Sequence, residues 1–283
     1  MLNKELQQTK AKAFRELHWN KSLLILPNVW DPLGASLLED LGYSAAATAS
    51  ASIAYTHGVP DGENIKFSEL LVLLRNIAGS VDIPITADVE SGYAETEDEL
   101  RENIKQVLEA GVVGINIEDY DLKNKMLFPT ELQCRRLQIV RETAEGMGIL
   151  LFINARTDVY LKGIQWATAE EKYEETVERG KAYLEAGADG IYPITMNKEP
   201  DIARLVAALS CPVNILAIPG IPDLKTLGKI GVARLSTGPG FLKVAIRAMK
   251  EAARQLKNGD GLSGITDNEI SNDYLKKLVS HTG

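Results

Sequence analysis

Acidic side chains gather where short apolar runs end in this 283-residue chain. One run, 84–88, continues as Asp88-Val89-Glu90-Ser91-Gly92-Tyr93. A second, 114–119, closes on Asn116-Ile117-Glu118-Asp119. A third, 149–154, leads into Asn154-Ala155-Arg156-Thr157-Asp158. Asp88 and Glu90 are two apart, so in an extended chain they face the same way. With Glu118 from a neighbouring run they make three carboxylates that repel one another unless a cation sits among them. Oxygen donors without His or Cys suit Mg²⁺, with Mn²⁺ as a substitute. Mg²⁺ keeps several waters, so one direct ligand and two acting through water suffice. Asp119 and Asp158 read equally well as helix caps or solvated loop acids. Arg156 has two compatible readings. It neutralises Glu118 or another run-end acid, or it clamps a substrate carboxylate and stabilises an enolate oxygen.

A second set of candidates follows the run 44–50. Ser50, Ala51 and Ser52 are small enough for backbone N–H groups to approach an anion, although a tight packing turn has the same composition. The segment from Ser52 to Glu63 reads as a lid. Gly58 and Gly62 can absorb large backbone changes, Pro60 stiffens the tip, and Asp61 would complete the site on closure. An ordinary ordered loop is the alternative. Asn28 and Asn214 end runs of their own as ligand donors or turn formers. Tyr55, His57, Asp61, Tyr93 and Lys123 all fall within reach of a proton-transfer role, and the sequence does not choose among them. His57, one of three His residues, is on its own an ordinary surface residue.

These positions need a scaffold, and an internal repeat supplies it. The pattern Leu-Glu-Asp-Leu-Gly42, Leu-Glu-Ala-Gly111, Leu-Glu-Ala-Gly187 and Leu-Gly-Lys-Ile-Gly231 precedes the apolar runs 44–50, 114–119, 190–195 and 232–237. Gly closes a helix in the left-handed conformation, and each following run reads as a strand buried on both faces. The runs 23–27, 84–88, 149–154 and 212–217 fit the same template, which makes eight strands. Amphipathic helical patterns lie between them, for example at 97–110, 131–146 and 169–186. Strand ends recur about every 30 residues, the size of a βα unit. Eight units predict an α/β fold of the (β/α)₈ TIM-barrel type, in which catalytic groups stand at the C-terminal strand ends. A doubly wound sheet fits less well, because the first strand lacks a glycine fingerprint. Residues before Leu23 predict an extra N-terminal helix. The barrel domain spans 1–257. A C-terminal helical extension spans 258–283, with a flexible joint at 258–264 and a detached helix at 267–279 that needs something to pack on, such as a neighbouring subunit.

Composition narrows the partners. The chain is 45% apolar and 25% charged, with 31 basic against 39 acidic residues and a net charge of −8. That balance argues against nucleic-acid and anionic-membrane partners, which require a basic face, but not against a small anionic substrate. Cys134 and Cys211 are too few for a disulfide framework and read as reduced thiols of a cytoplasmic protein. Residues 1–16 carry no apolar run, so no secretory signal is expected. The longest uncharged stretch, 43–60, is too polar to span a membrane.

At these residues the chain resembles the isocitrate lyase/phosphoenolpyruvate mutase superfamily. The resemblance runs from Leu26-Pro27-Asn28-Val29-Trp30-Asp31 to Leu235-Ser236-Thr237-Gly238-Pro239. It includes Gly58-Val59-Pro60-Asp61, Asp88-Val89-Glu90, Ile117-Glu118-Asp119 and Ala155-Arg156-Thr157-Asp158. It implies Mg²⁺ on Asp88, with Glu90 and Glu118 acting through waters, and a 2-oxo acid seated on Mg²⁺, Ser50, Ala51 and Arg156. It further implies Asp61 on a gating loop and Asn214 as a substrate contact. The shared chemistry makes or breaks a bond at C3 of a pyruvate unit through an enolate-like species, whose oxyanion Mg²⁺ and Arg stabilise. Members exchange their eighth helix between subunits and assemble as tetramers, a dimer of dimers.

The departures point away from particular activities. Isocitrate and methylisocitrate lyases carry a K-K-C-G-H loop after the fourth strand, where this chain has Tyr120-Asp121-Leu122-Lys123-Asn124-Lys125-Met126. Phosphoenolpyruvate mutases carry a K-T-N loop there and an aromatic platform near the second strand end, where Ala45, Ala46 and Ala47 stand here. The expectation is therefore a Mg²⁺-dependent lyase or decarboxylase acting on a small 2-oxo or 2-hydroxy dicarboxylate. The alternatives are a phosphonopyruvate mutase or hydrolase and a non-catalytic ligand-binding barrel. A Schiff-base aldolase would need a Lys at a strand end, and none of the eight endings has one.

Overall fold

A computed structural model describes residues 4–20, 22–161 and 163–280. The expectations for 1–16 and 258–283 fall outside it at 1–3 and 281–283. All eight runs are strands: β1 (Leu24–Leu26, resuming as Asn28–Val29), β2 (Ala46–Thr48), β3 (Ile85–Asp88), β4 (Gly114–Glu118), β5 (Phe152–Thr157), β6 (Gly190–Pro193), β7 (Asn214–Leu216) and β8 (Arg234–Ser236). Each neighbouring pair is parallel. β1 changes partner at Pro27: Leu24 pairs with Arg234 of β8 before it, and Asn28 with Ala47 of β2 after it. A bridge from Ile191 to Val213 joins β6 to the start of β7, and the ring closes as a (β/α)₈ barrel.

The helices have local causes. Thr96 and Glu99 form a reciprocal capping box before Glu97–Glu109, and Asp31, Thr168 and Asp223 cap their helices through side-chain oxygens. The repeated glycines close the preceding helices: Gly111 and Gly187 have φ of 95° and 104°, a region that only Gly enters cheaply. β5 starts at Phe152 rather than at 149. Ile149 still belongs to the preceding helix end, its N–H donating to the Ala144 carbonyl at 3.0 Å.

The N-terminal helix, Lys4–Trp19, packs across the foot of β5. His18 stacks on Phe152 with ring centroids 3.8 Å apart, and Phe14 meets the same ring edge-on at 5.7 Å. A Cβ on Gly114 would lie 2.6 Å from the Phe14 ring, so this close approach depends on the missing side chain. A polar network also threads the barrel. Asn154 donates to Asn116 Oδ1 at 2.8 Å, and the fully buried Arg234 donates to Asn116 Oδ1 at 3.3 Å and to Ser236 Oγ at 3.0 Å.

The C-terminal region departs from expectation. Helix Asn272–Val279 does not wait for a neighbour. It lies on Pro32–Asp40 of its own chain, where Tyr274 Oη donates to Asp40 at 2.9 Å and Lys277 Nζ reaches the same carboxylate at 2.6 Å. The helix without a seat is Gly240–Asn258. It buries only Leu242 and exposes Phe241, Val244, Ile246, Met249 and Leu256. No helix among the described residues is long and apolar enough to cross a membrane.

Candidate active site

Pairing of β3, β4 and β5 aligns Asp88 with Asn116 and Glu118 with Arg156. Three carriers of charge therefore reach one rim from adjacent strands. Asp88 Oδ2 accepts from Ser50 twice, from Oγ at 3.0 Å and from the backbone N–H at 3.3 Å, and the Asp88 N–H donates to Thr48 Oγ1 at 3.0 Å. Ser50 opens the helix Ser50–Thr56, whose first N–H groups have no partner within the helix. Among the described residues, Asp88 Oδ1 accepts no hydrogen bond from protein.

Arg156 is held by two carboxylates. Nε and Nη2 donate to Asp158 Oδ1 and Oδ2 at 2.7 and 2.8 Å, and Nη1 lies 2.5 Å from Glu118 Oε2. Burial pushes the Glu118 carboxyl well above the ordinary range. Arg156 pulls it back, while Asp158, Asp88 and Glu90 push further. Asp119 does not face the site. It accepts from Thr157 Oγ1 (2.9 Å), the Asp158 N–H (2.8 Å), Arg179 (3.2 Å) and Tyr183 Oη (2.7 Å). It is a buried bracket behind β5, and Asp158 is the splint it holds against Arg156. This resolves both open readings of these two acids.

Glu90 sits in the left-handed region at φ 51° and is 3% exposed. Tyr93 Oη donates to its Oε1 at 2.8 Å and the Glu63 N–H donates to its Oε2 at 2.6 Å. Burial and then the Asp88 charge push its pKa up to about 7 despite the Tyr93 bond. Asp61 is largely exposed as a residue, but its carboxyl is crowded at the mouth of the site. Desolvation and Asp88 raise its pKa, whereas Arg156 and a hydrogen bond with Ser50 lower it. Asp61 and the rim acids therefore stand together in this conformation.

Other expectations change. Residues 52–56 are helical rather than part of a loop, so only 57–63 of the expected lid is loop. Ser52 is fully buried in that helix, its Oγ without a partner, and its backbone N–H lies in the first turn, where helix N–H groups lack an intrahelical partner. Asn214 lies inside the barrel, hydrogen-bonded to Ser236 at 3.1 Å. Asn28 closes the barrel: its Oδ1 accepts from the Thr237 and Gly238 N–H groups and its Nδ2 donates to the Thr48 carbonyl. His57 bonds back to the Ile53 carbonyl at 2.8 Å, Tyr55 is 56% exposed, and Lys123 pairs with Glu95 at 3.7 Å. Two neighbours of the site escaped the sequence reading. Glu63 is hidden in a loop. Tyr192, aligned with Arg156 across β5 and β6, stands inside the apolar run 190–195, where it reads as a core residue. Burial raises the Tyr192 phenol, Arg156 pulls it down and Asp88 adds to the rise, so it remains a neutral O–H donor beside Arg156.

The donor set can be tested for a metal. Among the described residues, no three His, Cys, Asp or Glu side chains close on one point as a direct shell. Asp88, Glu118 and Asp61 nevertheless crowd one Arg that is already paired, and Glu90 adds its charge beside Asp88. That oxygen-rich excess of negative charge, with one Asp88 oxygen uncommitted, fits a hard cation that keeps most of its water.

Residues 14–257 match the sequence profile of the family described as phosphoenolpyruvate phosphomutase. An uncharacterized protein of Mycobacterium tuberculosis H37Rv is 30% identical over 88% of this chain and 91% of its own. Oxaloacetate decarboxylase of Pseudomonas entomophila is 28% identical over 93% and 91%. A solved Burkholderia cenocepacia J2315 chain, provisionally named a phosphonomutase, is 35% identical over 89% of this chain and 99% of its own, with a TM-score of 0.82. Other relatives in sequence are 2-methylisocitrate lyases, and among fold neighbours is a phosphonopyruvate hydrolase solved with oxalate and Mg²⁺.

Proposed function

The chain belongs to the phosphoenolpyruvate phosphomutase family, within the isocitrate lyase/phosphoenolpyruvate mutase superfamily, and from that premise we propose a Mg²⁺-dependent lyase or decarboxylase acting at C3 of a small 2-oxo or 2-hydroxy dicarboxylate. The observation that carries this reading is Arg156, splinted by Asp158 and aimed beside the Asp88–Glu118 carboxylates. A planar guanidinium suits a carboxylate or an enolate oxygen, and holding it in place beforehand removes reorganisation from the reaction.

In this proposal Asp88 would ligate Mg²⁺ directly, with Glu90 and Glu118 acting through its waters. The bound ion would supply Lewis-acid stabilisation of the developing enolate oxygen. Ser50 aligns Asp88, and the Ala51 N–H at the helix start is available to the substrate carboxylate. Arg156 binds the same end of the substrate, and Asp61 meets it from the flap. The Tyr192 hydroxyl is the neutral proton donor nearest Arg156 in register. Asn214 acts indirectly, through Ser236 and the network below the rim.

The chain lacks a Cys or His in the 120–126 loop. Asp121 instead caps the turn there, accepting from the Lys123 and Asn124 N–H groups at 2.9 Å each and from Asn124 Nδ2 at 2.7 Å. That turn commits the Asn124 amide to Asp121, which favours decarboxylation or alkylmalate cleavage over phosphoryl migration. The level of identity to the Burkholderia chain keeps phosphonopyruvate as the second substrate class. We further read the protein as a cytoplasmic homo-oligomer, a dimer of dimers, in which a second copy covers the apolar face of Gly240–Asn258.

A pyruvate-release screen with Mg²⁺ over oxaloacetate, alkylated malates and phosphonopyruvate tests the reading. Pyruvate from one of the dicarboxylates, lost with EDTA and in Asp88→Ala, is the expected result. Phosphate release from phosphonopyruvate alone would move the protein to the second class. Binding of oxalate without turnover of any of them would make it a ligand-binding barrel.

A further inference from the structure

Five non-glycine residues among those described have positive φ, and three of them, Glu63, Glu90 and Tyr93, at 54°, 51° and 54°, lie in two loops that touch. Such backbone is sparsely populated for L-residues and persists only where its surroundings hold it. Here a closed ring of hydrogen bonds does so. The Glu63 N–H donates to Glu90 Oε2 at 2.6 Å. Tyr93 Oη donates to Glu90 Oε1 at 2.8 Å. Glu63 Oε1 accepts from the Tyr93 N–H at 2.8 Å and from Ser91 Oγ at 2.7 Å. Arg136, buried behind the ring, donates to the Ser91 carbonyl and faces the Glu63 charge.

We infer that Glu63 is a positioning residue, a clasp that makes closure of the 57–63 flap and the aim of the Glu90 carboxylate a single event. Glu63 presents its backbone donor to Glu90 and its side-chain acceptor to the loop carrying Glu90. The flap therefore cannot lift without withdrawing one of the two donors that orient that carboxylate. Loss of the Glu63 carboxylate frees Tyr93, which carries the other donor. Gly62 reinforces the seating: a Cβ there would lie 3.3 Å from Leu122, and its φ is 104°. Glu63 and Tyr93 also line a cavity of about 600 Å³ shared with Leu122 and Lys123, so release of the clasp reshapes the space beside the rim. By linkage, whatever tightens Glu90 in its closed aim tightens the flap to the same degree.

The inference rests on Glu90 serving a bound cation, so the test separates the two ideas. Hydrogen exchange on the full-length, metal-free protein reads the clasp alone: Glu63→Ala should speed exchange at 57–64 and at 89–94 together. Mn²⁺ titration, followed by electron paramagnetic resonance, reads the consequence. The Mn²⁺ dissociation constant should rise roughly 10–100-fold in Glu63→Ala, the range for losing a group that orients a metal ligand. Glu63→Gln should recover most of that loss, because an amide oxygen still accepts from Ser91 and Tyr93. Tyr93→Phe should cost less in the Glu63→Ala background than alone, since both act on one carboxylate. If Glu63→Ala does not fold, Tyr93→Phe, which removes the other donor to Glu90, carries the same comparison of exchange at 57–64 and 89–94 and of Mn²⁺ affinity. Faster exchange confined to 57–64, or unchanged Mn²⁺ affinity while Asp88→Ala abolishes it, would overturn the clasp. If Asp88→Ala binds Mn²⁺ as well as the parent, the metal reading fails, and the clasp is then decided by the exchange data.

Discussion

Arg156 is bound by Asp158 two residues further along its own chain, through two parallel hydrogen bonds of 2.7 and 2.8 Å. The splint lies just past the end of β5 and is held there by Asp119, which accepts from the Asp158 N–H at 2.8 Å. It leaves Nη1 as the nitrogen turned to Glu118. Asp158→Asn keeps the shape and removes half of the acceptor pair. It should lower kcat by about 10–100-fold with little change in the thermal midpoint, because the guanidinium loses its fixed aim rather than its burial. Steady-state kinetics on the substrate found in the pyruvate screen would check this. An unchanged kcat would mean that Glu118 alone orients Arg156.

Asp61 makes a contrasting prediction. It meets the site from the flap, beside Ser50 and within the field of Asp88 and Arg156, but it is not among the strand-end acids. Asp61→Ala should reduce kcat by roughly two orders of magnitude while the Mn²⁺ dissociation constant changes little. A large loss of Mn²⁺ affinity in this variant would instead make Asp61 part of the cation shell.

The strands were legible because barrel strands buried on both faces read as unbroken apolar runs, and Asp88, Glu118 and Arg156 stand out as charges that end them. Asp119 and Asp158 could not be separated from site residues by sequence, since Asp119 is engaged by Arg179 and Tyr183 from a distant helix and Asp158 in turn leans on Asp119. Glu63 was legible only as the end of the lid segment: its bond to Glu90 depends on a left-handed backbone and a partner 27 residues away. The stretch 52–56 was not legible as helix for a related reason. Ser50–Thr56 is too short and too poor in large apolar residues to show helical periodicity, so a buried helix residue resembled an open loop. In the C-terminal region the detached helix expected at 267–279 is Asn272–Val279, with a short helix at Ser263–Thr266 before it, and nothing in the composition said that it, rather than Gly240–Asn258, would find a seat on its own chain.

The unseated helix leads to an assembly prediction. Along Gly240–Asn258, Val244 is 52% and Met249 61% exposed, on a helix that buries only Leu242. A stripe of that kind is stable in water when something apolar covers it. Val244→Asp combined with Met249→Asp should convert the oligomer to smaller species by light scattering while the barrel keeps its far-ultraviolet spectrum. Truncation after residue 257 should have the weaker effect, because Asn272–Val279 lies on its own chain. A parent protein that is monomeric at the outset, or an oligomer indifferent to both aspartates, would remove the proposed interface.

The foot of the barrel predicts how stability responds to acid. His18 donates through Nδ1 to the Phe14 carbonyl at 2.8 Å, while Nε2 is buried without a partner. Burial, and then the buried Arg234 charge, push its pKa down from 6.5 to about 3. Between those two values the unfolded chain binds a proton at this ring and the folded chain does not. Stability therefore rises with pH across that window: the contribution is complete above about 6.5 and lost as pH falls towards about 3. At pH 4.5 the unfolded ring is about two pH units into its protonated range, which amounts to roughly 2–3 kcal/mol relative to pH 7.5. Phe in place of His18 preserves the stacking on Phe152 and cannot take a proton. Urea unfolding at pH 4.5 and 7.5 should then show a difference between the two pH values smaller in His18→Phe than in the parent by about that amount. Equal differences in the two proteins would show that the folded ring takes up its proton as readily as the unfolded one.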